Sequence, residues 1–267
     1  MILFLLLLIP MCVLPSSGQE ALPSHMVNPL IGTDGHGHTY PGAALPFGMV
    51  QLSPDTRVEG WDACAGYHYS DTTILGFSHL HLSGTGIPDY GDILLTPFSG
   101  SRTLQEAQAP APFSHEEESA SPGYYRVMLK DRRIVAELTA TDRVGIHRYT
   151  SAGTDSLGIA VDLVHGLGPD RVIEAGLDVV SATEISGHRY TGDMEADLDT
   201  AARVICDHAI RIRIGVQKSA LRHIIKRTWK ARFIGVHKSN HGPENDRIRA
   251  DRSRDDSTIC IQVHGLS

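Results

Sequence analysis

From Gly123 to Tyr190, apolar and polar residues alternate with a period of two. The alternation predicts strands over YYRVML (124–129), IVAELTAT (134–141), RVGIHRYT (143–150), SLGIAVDLV (156–164) and AGLDVVSAT (175–183). SLGIAVDLV is the clearest: Leu157, Ile159, Val161 and Leu163 alternate with Gly158, Ala160 and Asp162, as in a strand with one face buried. Turn residues such as Ser151-Ala152-Gly153 separate these runs. Short strands spaced by roughly 10–12 residues point to an all-β sandwich. Upstream, further strands are expected at Leu30-Ile31, Met49–Leu52, Gly76–Ser83 and Asp92–Pro97. In Gly76–Ser83, Phe77, His79 and His81 share one face and Ser78, Leu80 and Leu82 the other. Neither an amphipathic helix before residue 195 nor an internal repeat is evident. Ser99–Ser121, with Pro110, Pro112 and the run Glu116-Glu117-Glu118, reads as a surface connection with a solvated acidic face.

The strands of the first third are separated by glycine-rich loops. Asn28–Asp92 holds eleven of the chain's 26 Gly, five of its 15 His, four of its eight Tyr and one of its two Trp. Glycine is costly to order and is kept where the backbone needs positive φ or close approach. Chemically active side chains among such glycines indicate a site built on loops over a β scaffold.

The chain has 267 residues, enough for one large domain, and a net charge of −7, which argues against nucleic acid as a partner. Ile2–Leu14 is an apolar run of 13 residues, too short to span a bilayer. Small residues follow, and Ser16 and Gly18 suit a cleavage site before Gln19. Residues 1–18 therefore read as a secretory signal peptide lacking a basic n-region, and the chain as exported, either secreted or periplasmic. After removal, Cys64, Cys206 and Cys260 remain, which is neither a disulfide framework nor a zinc pattern. Cys64 reads as a small packed residue.

Beyond Arg203 the composition changes. Arg203–Arg254 holds 14 Lys or Arg against four acids, and Trp229 and Phe233 are the only aromatics after Tyr190. Residues 203–267 are an irregular tail to which the pattern assigns no element. Two readings stand: a basic arm for an acidic partner, or a stretch out of register with its origin, such as a frameshift or misjoined exon.

Four constellations bear on chemistry. His36 and His38 in DGHGHT, with His68, His79 or His81 and Asp34, Asp62 or Asp89, could form a metal site. Their spacing is not a zinc signature, and the alternative is that they bond loop backbone around a polar pocket. Trp61-Asp62 between glycines suits a sugar: the indole stacks on pyranose C–H groups and the carboxylate accepts from hydroxyls. A core Trp anchoring its loop is the alternative. Ser83-Gly84-Thr85-Gly86 is a strand turn, since no Lys follows to make a phosphate loop. No GxSxG elbow is present, and Asp34, Asp62, Asp89 and Asp92 are available as a glycosidase carboxylate pair.

The stretches VNPLIGTDGHGHTYPGAALPFGMVQLSPDT (27–56), GWDACAGYHYSD (60–71), GFSHLHLSGTGIPDYGDILLTP (76–97), SPGYYRV (121–127), VAELTATDRVGIHRYT (135–150) and DLVHGLG (162–168) resemble the N-terminal domain of glycoside hydrolase family 92, the calcium-dependent exo-α-mannosidases. The resemblance runs from residue 27 to about 190, within a domain spanning 26–200, and does not extend through the basic tail. It implies a large β-sandwich of the galactose-mutarotase-like supersandwich type. It also implies a helical partner domain that carries the acid–base carboxylates and the Ca2+ ligands, so none is expected in this chain. The implied ligand is an α-mannoside of an N-glycan or mannan. Trp61 and Asp62 become candidates to touch the terminal mannose, with His36, His38, His79 and His81 as neighbours. No catalytic residue carries over. The expectation is a sugar-binding domain truncated before its catalytic domain and inactive alone; a stand-alone mannose-binding module and a non-functional remnant are the alternatives.

Overall fold

The computed structural model describes residues 23–153, 156–169, 171–181, 183–192, 206–216 and 258–266. The apolar run Ile2–Leu14 and most of the basic tail lie outside these residues. In chain order the strands are β1 (Ala43–Ala44), β2 (Gln51–Asp55), β3 (Thr73–Ile74), β4 (Gly76–Ser78), β5 (Leu94–Ser99), β6 (Ala111–Pro112), β7 (Glu118–Ser121) and β8 (Tyr124–Leu129). They continue with β9 (Ile134–Ala140), β10 (Val144–Ser151), β11 (Leu157–Asp162), β12 (Arg171–Ser181), β13 (Glu184–Gly192), β14 (Cys206–Val216) and β15 (Thr258–Leu266). Two sheets dominate: a five-stranded one ordered β1-β2-β4-β5-β11 and an eight-stranded one ordered β12-β13-β14-β15-β10-β9-β8-β7. A two-stranded pair, β3-β6, lies apart.

Period-two patterning explains how the sheets face each other. In β8 and β9 every second residue is buried: Tyr125, Val127 and Leu129, then Ile134, Ala136 and Leu138. They join Leu52, Phe77, Leu95, Leu157 and Ile159 of the smaller sheet in one core. Each such Leu, Ile or Phe contributes about 1.5–3 kcal/mol relative to exposure. Gly145 of β10 is required by this packing, because a Cβ there would sit 2.8 Å from Leu52 Cδ2. The fold is thus the expected all-β sandwich, and no helix among the described residues is long and apolar enough to cross a membrane.

Several elements differ from the sequence expectation. Leu30-Ile31 lies in a turn, held by Asn28 Oδ1 accepting from Leu30 N at 3.0 Å. The Gly76–Ser83 strand ends as a regular strand at Ser78, although His79 N still donates to Asp92 O and His81 bridges Tyr90. The Ser99–Ser121 connection contains a short helix, α1 (Leu104–Gln108), started by a Thr103–Glu106 capping box. Glu118 is not part of a solvated face. Its side chain is buried, accepting from Tyr125 Oη at 2.6 Å and from Tyr67 Oη at 3.0 Å, with His115 Nδ1 2.6 Å away. The tail contributes two strands to the large sheet: β14 pairs with β13, and β15 lies between β14 and β10.

One polar link crosses the apolar interior. His79, just after β4, and His147 of β10 are both buried, with their Nε2 atoms 3.0 Å apart. The Ile93 carbonyl, 2.7 Å from His79 Nδ1, can only accept, so His79 donates there and its Nε2 accepts from His147. His147 Nδ1 then accepts from Tyr149 Oη at 2.9 Å. Every atom of this chain is satisfied only when both rings are neutral. Burial accordingly pulls His79 down to about 4 and His147 well below the ordinary value. As pH falls, the unfolded chain takes up these protons first, from about pH 6.5. Urea denaturation should therefore show stability that is flat above about pH 7 and falls from about pH 6.5 down to about pH 4. A His79→Leu/His147→Leu double variant should flatten that decline; an unchanged decline would assign it to other groups.

Candidate functional site

Three loops, one before β1, one after β2 and one after β4, meet one another. The first, Gly32–Tyr40, folds on itself: Gly37 N donates to Asp34 O at 3.0 Å and Thr39 N to Gly32 O at 3.2 Å. His68, buried, holds this loop from beneath, with Nε2 3.0 Å from Gly35 O and Nδ1 2.8 Å from Ser70 Oγ. The second loop enters at Gly60 (φ 92) and makes a 3-10 turn, Trp61–Ala63. Ala63, Cys64 and Ala65 are buried, and the Cys64 thiol donates to Trp61 O at 2.7 Å. This anchor turns the Trp61 side chain outward, 61% exposed. The third loop, Ser83–Ile87, is tied to the first by Gly84 N donating to His38 O at 2.5 Å. Gly86 has φ +68, which favours glycine, and a Cβ there would lie 2.9 Å from Trp61 Cη2 and push the indole aside.

Four of the six predicted site residues therefore come together. His36 Nδ1 lies 3.0 Å from Asp62 Oδ1, and His38 Nε2 lies 3.9 Å from the same oxygen. The His36 hydrogen bond is the main reason the Asp62 carboxyl sits below its usual range. The His38 and Trp61 rings meet edge to face, centroids 4.8 Å apart at 82°. His38 Nε2 is buried and has no hydrogen-bond partner within the protein. Trp61 is thus a surface platform and not a core anchor. Beside it stand a carboxylate, a solvated imidazole and a second imidazole with an unused nitrogen.

His79 and His81 do not join this surface. His79 belongs to the core chain with His147. His81 is buried one layer below, its ring 5.0 Å from that of Tyr40. It belongs to a network that sequence reasoning missed. Asp55, at the end of β2, is fully buried and binds His81 Nε2 at 2.8 Å and His165 Nε2 at 2.7 Å. His81 Nδ1 also faces an acceptor, Gln51 O at 2.8 Å, and its Nε2 lies 3.0 Å from the Ser78 hydroxyl as well. Burial pushes the Asp55 carboxyl up, but the His81 and His165 rings outweigh it and hold it well below the carboxylate range. Arg189, also buried, donates to His165 O and pairs with Asp92 at 3.1 Å. Gly66 (φ +77) rests on Asp55 Oδ1, leaving no room for a Cβ. The only sequence pointers to this network were the SPDT and DLVHGLG stretches, within which nothing singles out Asp55 or His165.

The other acids are occupied by local bonds: Asp34 Oδ1 accepts from Gly35 N and Asp89 Oδ1 from Tyr90 N. Calcium takes about six to eight oxygen ligands. Among the described residues no group of three or more His, Cys, Asp or Glu is placed to hold a metal ion, so the residues present do not fit calcium.

Comparison with known proteins places this arrangement. Residues 26–204 match the glycosyl hydrolase family 92 N-terminal domain, and the chain belongs to that family. It is similar to the GH92 α-mannosidase BT3965 from Bacteroides thetaiotaomicron, solved in complex with mannoimidazole. That match has a TM-score of 0.71 and 28% identity, covering 90% of this chain and 32% of that one. The GH92 inverting mannosidase BT2199 of the same organism shares the fold, with a TM-score of 0.55 at 20% identity, over 91% of this chain and 29% of its own. An uncharacterized secreted glycosidase of Arthroderma benhamiae is 32% identical over 131 residues, 46% of this chain and 16% of its own length. The chain thus spans about a third or less of the proteins it resembles.

The Asp55 network makes a stability prediction. Removing one partner of a buried ion pair leaves the other charge uncompensated. Asp55→Asn should therefore lower the unfolding free energy by about 3–5 kcal/mol, read by urea denaturation at pH 7. A loss below 1 kcal/mol would mean the carboxylate is not an essential anion.

Proposed function

We propose that this domain supplies the loop-built half of an α-mannoside-binding site. The terminal mannose sits against Trp61, with Asp62 accepting from ring hydroxyls and His36 and His38 beside it. The carrying observation is the exposed Trp61 ring packed edge-on against His38, whose buried Nε2 has no partner in the protein. An apolar face next to acceptors and an unused ring nitrogen is the chemistry of a neutral polyol. The mannosidase named among the similar structures, with its mannose-like ligand, supports the same ligand class. His79 and His81 have no direct part in this reading.

Hydrolysis of terminal α-mannosides belongs, on this proposal, to the domain acting with a helical partner domain. That partner would carry the acid, the base and the calcium. Export of the protein, to the outside or a periplasm, is part of the same reading and is supported by the apolar run and small residues at its start.

Purified chain should bind methyl α-mannoside saturably in calorimetry or ligand-observed NMR. Trp61→Ala should abolish binding, and the exposed Glu117→Ala should leave it intact. The purified chain should release no mannose from α-mannosides, with or without calcium. Binding unaffected by Trp61→Ala would remove the site from this surface, and calcium-dependent mannose release would overturn the division of labour.

A further inference from the structure

Asp34-Gly35 is the only Asp-Gly pair in the chain, and it lies in the loop that carries His36 and His38. Both residues are exposed. Gly35 N donates to Asp34 Oδ1 at 2.8 Å, so the carboxyl group is folded back against the amide that follows it. Gly35 has φ +59, and a Cβ there would meet nothing within 4 Å, so open space lies beside this peptide unit. The carbonyls on either side are held: Asp34 O accepts from Gly37 N at 3.0 Å, and Gly35 O lies 3.0 Å from His68 Nε2. The nitrogen between them faces the side-chain carboxyl of the residue before it.

We propose that Asp34 is a site of spontaneous isomerisation to isoaspartate in the folded protein. With the carboxyl group in its acid form, Gly35 N attacks Asp34 Cγ. The N–Cγ bond forms, the nitrogen gives up its proton, and the carboxyl hydroxyl leaves as water, closing a five-membered succinimide. Water then opens the ring. Breaking the N–Cγ bond returns aspartate. Breaking the bond between the nitrogen and the Asp34 main-chain carbonyl carbon leaves the chain running through Cβ and Cγ, with the former carbonyl as a free carboxylate. One water leaves and one returns, and nothing is oxidised or reduced.

The product carries one extra methylene in its main chain. It also takes Asp34 O, the acceptor of the Gly37 N bond, out of the backbone. Both changes fall immediately before His36, whose Nδ1 stands 3.0 Å from Asp62 Oδ1. The modified loop cannot keep His36 in that place, and the His36–Asp62 pair separates.

The test is to incubate the purified chain at pH 6 and 37 °C and map its peptides over time. Isoaspartyl methyltransferase counts isoaspartate, and endoproteinase Asp-N does not cleave before it. Methyl acceptance should rise with time in the peptide containing Asp34, and Asp-N cleavage at Asp34 should be lost in step. Asp34→Glu, which would have to close a six-membered ring, should stay at its starting level. Asp34→Asn closes the same succinimide by expelling ammonia in place of water, and should convert to the same mixture of aspartate and isoaspartate. Melting curves at each time point show that the chains remain folded. A folded chain that keeps Asp34 intact while the same chain in urea isomerises overturns the proposal, as does a folded Asp34→Asn chain that keeps its amide. The aged chain should also bind methyl α-mannoside with a competent fraction reduced by its isoaspartate content; this arm alone rests on the mannoside reading. Full binding by the aged chain overturns the separation of His36 from Asp62. A fresh chain that binds no sugar overturns the mannoside reading, and the peptide map still decides the isomerisation.

Discussion

The buried carboxylate of Asp55 is the point on which the loops converge. It takes hydrogen bonds from His81 and His165, 26 and 110 residues away in sequence, and supports Gly66 directly. His81 in turn bonds the β2 backbone and lies beneath Tyr40 of the first loop. Loops free at their tips would have to be ordered each time a ligand bound. Pinned to one anion they are ordered in advance, and the conformational entropy is lost on folding instead of on binding. Burying that anion is costly in itself, and the hydrogen bonds from His81 and His165 make it tolerable. The glycines follow from the same constraint, since close approach to the network leaves no space for a Cβ at Gly66.

The polar groups fall into layers. His79, His147 and Tyr149 are neutral and link the two sheets through the core. Asp55, His81, His165, Arg189 and Asp92 form a hydrogen-bonded layer between core and loops. His36, His38, Trp61 and Asp62 form the outer layer, the one proposed to meet ligand. Histidine serves all three because its two nitrogens can donate, accept or do both, according to their neighbours. Glu118 does comparable work on the far side, joining β7 and β8 to the Tyr67 loop.

Much of this was legible in the chain. Alternation located β8 to β12, and Gly, Trp, Asp and His clustering located the loops that bring His36, His38, Trp61 and Asp62 together. The errors have specific causes. Period two places His79 and His81 on one face, but does not say whether that face looks toward loops or core. An acidic run reads as solvated because local composition carries no trace of Tyr67, 51 residues from Glu118. Asp55 and His165 are invisible for the same reason: each is ordinary until the fold brings them together. The tail misled in the opposite way. Ile210, Ile212 and Ile214 alternate with Arg211 and Arg213 within β14, a strand pattern in plain view. The excess of basic residues drew attention away from it.

The unpartnered nitrogen of His38 has one more consequence. A polar atom buried without a partner has already lost its water in the free protein, a cost that only a ligand able to bond it relieves. A ring that presents a hydroxyl there gains a bond. A ring with hydrogen at that carbon leaves the nitrogen as unsatisfied as it was in the free protein and forgoes that bond. On the proposed reading, discrimination among sugars would then be uneven around the ring, with one bond's worth at stake at the carbon facing His38 and less wherever a hydroxyl remains in contact with water.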